Sequence, residues 1–135
     1  MKHRVKSFVA LEERSAGRET MPQAIFNFIR PIMLSRCKPA RLEGRKNNIR
    51  LIRELDSFNG LYFVWSASVK SENNGAVSPT GKNNIQISFG PSKDKRCLVF
   101  SADYWENTEK CEIHYFSEEP DWRRILSTAI GQIIE

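Results

Sequence analysis

The sequence predicts an α+β domain: a four-stranded antiparallel meander with two N-terminal helices and one C-terminal helix packed on one face. Three observations predict it. Apolar residues recur with helical spacing through residues 20–58, alternate from Leu61 to Phe116, and return to helical spacing from Trp122. The connections between the expected strands are mostly short, which favours antiparallel neighbours. Each element carries one apolar face, and stacking the helices on one side of the sheet buries them all. The chain has 135 residues, 40% of them hydrophobic. That is one domain, 1–135, large enough to bury a core without a disulfide or metal staple.

Residues 1–19 are charged and weakly patterned, a flexible tail or at most a short helix through Val5, Phe8, Val9 and Glu12. Thr20-Met21-Pro22-Gln23 is a helix start, with Thr20 as cap, Gln23 three residues on, and Pro22 where its missing N–H costs nothing. Ile25, Phe28, Ile29, Ile32 and Met33 continue it as one stripe, and Pro31 should kink or end the helix near Arg30. Ile49, Ile52 and Leu55 predict a second helix over about 47–57, stopped by Asn59-Gly60, so that 20–58 is helical and basic. The sheet region is 59–117. Leu61, Phe63, Trp65, Ala67 and Val69 form one face of the first strand. Residues 71–82 (SENNGAVSPTGK) read as a long polar loop. Ile85, Ile87 and Phe89 mark a second strand, Arg96–Tyr104 a third and Cys111–Phe116 a fourth. Pro120 and Asp121 open the last helix, within 118–135, with Trp122, Ile125, Leu126, Ala129, Ile130, Ile133 and Ile134 on one face.

The net charge is +5, unevenly spread. Residues 1–58 hold 13 basic and 6 acidic side chains, a net of +7; residues 59–135 hold 8 and 10, a net of −2. Eight cations lie between Arg30 and Arg53 against Glu43 alone. Seven acids lie between Asp103 and Asp121 against Lys110 alone. Two segments of this kind either contact each other or steer partners of opposite charge.

Cys37, Cys97 and Cys111 have neither disulfide-framework nor zinc spacing and read as free thiols, Cys37 as a half-buried small hydrophobe. The basic N-terminus is followed by too short an apolar run, Ser7 to Leu11, for a signal peptide. No apolar run is long enough to span a bilayer. A cytoplasmic location without membrane contact is expected, with no metal and no cofactor.

Pairing the last two strands through Phe100 with Tyr115 and Ala102 with Ile113 would place Ser101 near His114, and Asp103 near Glu112. No nucleophile turn or oxyanion hole accompanies Ser101, so a hydrolase is not expected. A small metal-independent nuclease using His114 lacks a convincing second group, since His3 lies in the N-terminal tail. With no catalytic set, the leading expectation is a non-catalytic partner-binding protein of the inhibitor, immunity or antitoxin kind. Asp103, Glu106, Glu109, Glu112, Glu118 and Glu119, anchored by Trp105, would dock a basic protein such as a nuclease toxin. The alternative is a nucleic-acid-binding protein using Arg36, Lys38, Arg41, Arg45, Lys46 and Arg50.

Overall fold

Where the sequence predicts four strands and three helices, the described chain forms six strands and two helices. The computed structural model describes residues 21–45, 48–108, 110–131 and 134; the short helix weighed for 1–19, His3, the Thr20 cap, Lys46, Glu109 and Ile133 lie outside them. Helix α1 (Met21–Arg36) is followed by β1 (Arg41–Arg45), β2 (Asn48–Phe58), β3 (Leu61–Ser71), β4 (Val77–Phe89), β5 (Cys97–Trp105), β6 (Lys110–Phe116) and helix α2 (Pro120–Ile130). The strands form one antiparallel sheet in chain order.

The expected second helix over 47–57 is instead β2. Ile49, Ile52 and Leu55 fit a helical stripe, but Ile49, Leu51 and Leu55 also fit one face of a strand. They pair with Val69, Ala67 and Phe63 of β3. Short apolar runs satisfy both periods, and cross-strand partners decide between them. Asn59-Gly60 is therefore a hairpin turn and not a helix stop. Both residues have positive φ, 52° and 85°, as the tightest hairpins require.

Helix α1 runs through Pro31 without ending at Arg30. Asn27 and Pro31 both lie on the exposed side, so the ladder bond lost at the proline falls toward solvent. The inner side continues across it: Ile25, Ile29 and Met33 are fully buried and Phe26 nearly so. Each such side chain contributes about 1.5–3 kcal/mol of burial.

The expected loop 71–82 shrinks to a tight turn. Glu72 N–H donates to the Ala76 carbonyl at 2.7 Å, and β4 begins at Val77. Pro79 is tolerated because β5 joins β4 only from Lys82 onward, leaving the start of β4 with one neighbour. The last two strands and the C-terminal helix lie close to their expected positions. Gly131, with φ 74°, ends α2 through its N–H to the Ser127 carbonyl at 2.9 Å, earlier than 135. The chain then returns Ile134 to the core, its N–H held by Ser127 Oγ at 3.0 Å.

Both helices cover the sheet face carrying Phe63, Ile87, Phe100 and Phe116, which are register partners across β3–β6. Trp122 packs against Phe100 and Phe116 with ring centroids 6.1 and 5.6 Å away. None of the three cysteines is in a disulfide: Cys97 is exposed, Cys37 half-buried and Cys111 buried. Among the described residues, no helix is long and apolar enough to cross a membrane.

Candidate functional site

Cross-strand partners share a face of a sheet. The face away from the helices carries the row Ile52, Ser66, Asn84, Asp103 and Glu112, one residue from each of β2 to β6. Two residues along each strand lie Arg50 with Ser68, and Lys82 with Trp105 and Lys110. A polar cleft of about 190 Å³ opens among these rows, lined by Asn48, Arg50, Ser66, Ser68, Lys82, Asn84 and Asp103.

Asp103 is the most engaged group there. Asn84 Nδ2 donates to its Oδ1 at 2.9 Å, and His114 Nε2 lies 2.6 Å from its Oδ2. Partial burial pushes this carboxyl up, but the Asn84 amide and the His114 ring outweigh burial and hold it below the ordinary carboxylate value. An ionised carboxylate only accepts, so the proton in the His114 contact sits on Nε2. His114 reaches Asp103 because of a bulge. Ala102 pairs with Ile113 as expected, but Ser101 pairs with Tyr115 and Phe100 with Phe116, which leaves His114 unpaired in the ladder. The expected pairing of Phe100 with Tyr115 is thus corrected, and Ser101, which is buried, lies opposite Tyr115 and not His114. Among the described residues, no group of three His, Cys, Asp or Glu side chains is placed to hold a metal ion.

The acids of the hairpin do not form one continuous exterior patch. Glu106 turns inward, paired with Arg30 of α1 and accepting from Asn83 Nδ2 at 2.9 Å. Burial raises its carboxyl, and Asn83 and Arg30 bring it below the ordinary value. Asn83, only 2% exposed, also accepts from Trp65 Nε1 at 2.9 Å. The Glu106 N–H donates to the Gly81 carbonyl at 2.8 Å, tying this turn to β4. Arg30–Glu106 is thus a contact between the basic and acidic segments. Trp105 sits between cations: Lys82 Nζ and Lys110 Nζ are each 5.4 Å from its ring centroid. Glu112, Glu118 and Glu119 are exposed. Arg123 donates to the backbone carbonyls of Glu118 and Glu119 at the entry to α2.

The predicted basic residues that are described fall into three settings. Lys38 pairs with Asp56 at 2.8 Å, and Arg41 pairs with Glu43 at 2.7 Å and with Glu54. Hydrogen bonding to Lys38 holds Asp56 low, and hydrogen bonding to Arg41 holds Glu54 low. Arg36 ends α1 in the helix layer. Arg45 and Arg50 are exposed and form no ion pair among the described residues; Glu43, the cross-strand partner of Arg50, is bonded to Arg41 instead. Lys82, Asn84, Ser66 and Ser68 are not among the residues the sequence singles out. The alternation of Lys82, Asn84, Gln86 and Ser88 with Asn83, Ile85, Ile87 and Phe89 is the signal that could have found two of them.

A larger groove of about 760 Å³, lined by Phe89, Cys97, Leu98, Val99, Tyr115, Ser117 and Glu119, lies toward the start of β5. Its walls are mostly apolar, unlike the cleft at Asp103. Comparison with protein-family models, with curated proteins and with solved structures finds no match for this chain.

Proposed function

We propose that the protein binds nucleic acid through the open face of the sheet, with Arg45, Arg50 and Lys82 contacting phosphates. The observation that carries this reading is the local charge balance. Lys38 and Arg41 are neutralised beside β1 and β2, whereas Arg50 shares a polar cleft with Lys82. The cleft's one carboxylate, Asp103, is already held by Asn84 and His114. Arginine forks and lysine ammoniums at a groove lined by Ser and Asn suit a phosphate backbone.

Binding of labelled oligonucleotides, followed by fluorescence anisotropy over a salt series, tests the reading. The expected affinity falls steeply with salt, and Arg50→Glu with Lys82→Glu removes at least about tenfold and flattens the salt slope. Salt-insensitive binding, or none, overturns it. Cleavage of the RNA probe that His114→Ala abolishes would replace binding with a nuclease activity.

A second reading keeps the inhibitor, immunity or antitoxin type. Its support is narrower than the sequence suggests: Glu112, Glu118 and Glu119 are exposed, while Glu106 faces Arg30. A basic protein partner docked there would associate more slowly with the triple variant Glu112→Lys, Glu118→Lys, Glu119→Lys. Capture of one stoichiometric partner that survives nuclease treatment, and is lost with this variant, favours this reading over the first.

A further inference from the structure

We infer that Trp105 is a stacking platform for an unpaired base, so that the nucleic acid this face accepts is single-stranded. The inference rests on the nucleic-acid reading and adds the strand class to it.

Three observations carry it. First, Lys82, Trp105 and Lys110 are register partners on three adjacent strands, so the indole stands in a cross-strand row with an ammonium on either side. Both Nζ atoms lie 5.4 Å from the ring centroid. An aromatic ring flanked by two cations offers a base a face to stack on and its flanking phosphates a counter-charge. Lysine stems are flexible, so either ammonium can leave the ring for a phosphate oxygen when a base arrives.

Second, the neighbouring acid is removed from the ring. Glu106 follows Trp105 in the chain but is turned to Arg30 and Asn83. The charged groups against the Trp105 ring are therefore the two lysines, while Asp103 and Glu112 stand one row away on the same face.

Third, the row continues into the cleft. Lys82 both flanks Trp105 and lines the cleft that holds Arg50 and Asn84. A strand with one base on Trp105 carries its backbone past Lys82 toward Arg50. A duplex keeps its bases inside the helix and presents none of their faces to a ring on a sheet.

The protein supplies its own probe. Trp65 and Trp122 are buried under the helices, at 6% and 0% exposure, whereas Trp105 is partly exposed. Quenching of intrinsic fluorescence by added oligonucleotide therefore reports Trp105. The experiment titrates a thymidine oligomer of about 20 nucleotides, the matching uridine oligomer, and a mixed-sequence duplex of equal length. Each, fluorescently labelled, is titrated with wild type, Trp105→Ala, Trp105→Phe, and the Arg50→Glu, Lys82→Glu pair. Affinity is read by anisotropy of the label for every protein, and quenching with unlabelled oligomer is read in the proteins that keep Trp105. Thermal melting confirms that each variant is folded.

The single strands are expected to quench the wild type and to bind Trp105→Ala at least about tenfold more weakly, with Trp105→Phe retaining most of the affinity. The duplex is expected to bind weakly and without quenching. Single-strand binding that is unchanged in Trp105→Ala but lost in the Arg50, Lys82 pair would overturn the stacking role and leave the nucleic-acid reading standing. Duplex binding as tight as single-strand binding would overturn the strand class. No binding by any of the proteins would overturn both readings.

Discussion

His114 Nε2 lies 2.6 Å from Asp103 Oδ2, reaching across a bulge that leaves His114 without a cross-strand partner. In a regular ladder His114 would stand opposite Ser101 and Glu112 opposite Asp103. The extra residue keeps the second pairing, dissolves the first, and frees the imidazole to turn to the carboxylate. Bulges commonly re-aim a side chain in this way. Here the result fixes the charge beside the cleft that holds Arg50 and Lys82.

Acid should weaken the fold partly through Asp103. Its folded-state carboxyl sits below the ordinary value, so folding favours the ionised form. That contribution is fully present above the unfolded value of about 4 and is lost as pH falls through the lower folded value. Asp103→Asn removes it. The variant should be less stable near neutral pH by roughly 1 kcal/mol and should lose stability less steeply on acidification. Thermal melts across the acid range check this; a wild-type slope in the variant would refute it.

Asn83 joins three elements, and its loss should be costly. It accepts from Trp65 Nε1, donates to Glu106 and donates to the Gly81 carbonyl at 3.3 Å. Asn83→Ala strands a buried indole N–H and loosens the β5–β6 turn that follows Trp105. A destabilisation of about 2–3 kcal/mol is expected in urea unfolding. Asn83→Asp should not rescue it, because a second carboxylate would face Glu106.

Trp122 separates packing from hydrogen bonding. Its side chain is fully buried against Phe100 and Phe116, and its Nε1 is buried with no hydrogen-bond partner among the described residues. Trp122→Ala leaves a large cavity and should cost about 3–5 kcal/mol. Trp122→Phe keeps much of the ring contact and removes the orphaned donor, so it should cost roughly 1–2 kcal/mol. Urea unfolding of both variants measures the difference. Equal losses would show that ring packing is not what Trp122 chiefly contributes.

Gly44 controls the basic edge of the sheet. Its φ is 102°, and a Cβ there would lie 1.8 Å from the Asn48 carbonyl oxygen, a backbone atom that cannot step aside. Gly44→Ala should disrupt the β1–β2 hairpin locally. Amide exchange should rise at Arg41–Arg45 and stay low in β3 to β6, and oligonucleotide affinity should fall with the displacement of Arg45.

The strands β3, β5 and β6 and the helix α2 are legible in the residues. Leu61 to Val69 alternates cleanly, and Trp122 with Leu126 marks an apolar stripe opened by Pro120. Strand β2 reads as a helix because Ile49, Ile52 and Leu55 are compatible with either period. Asn59-Gly60 does not correct that reading, since the same pair suits a helix end and a tight hairpin. The first part of β4 is hidden by its polar composition, Val77 to Lys82, which looks like loop. Of the site, Trp105, Asp103 and Arg50 stand out in the sequence, but their surroundings do not.

By itself the sequence determined the α+β composition, the core residues of its clearest elements and the two charged segments. Local spacing and side-chain type carry that information, because a helix stripe and a strand face are properties of consecutive residues. The tertiary structure alone decided which charges meet. Lys82 and Lys110 flank Trp105, Arg30 turns Glu106 inward, and His114 finds Asp103, because pairing register brings residues far apart in the chain into one row. One extra residue at His114 is enough to change which side chains are neighbours, and no count along the chain shows where the ladder will absorb it.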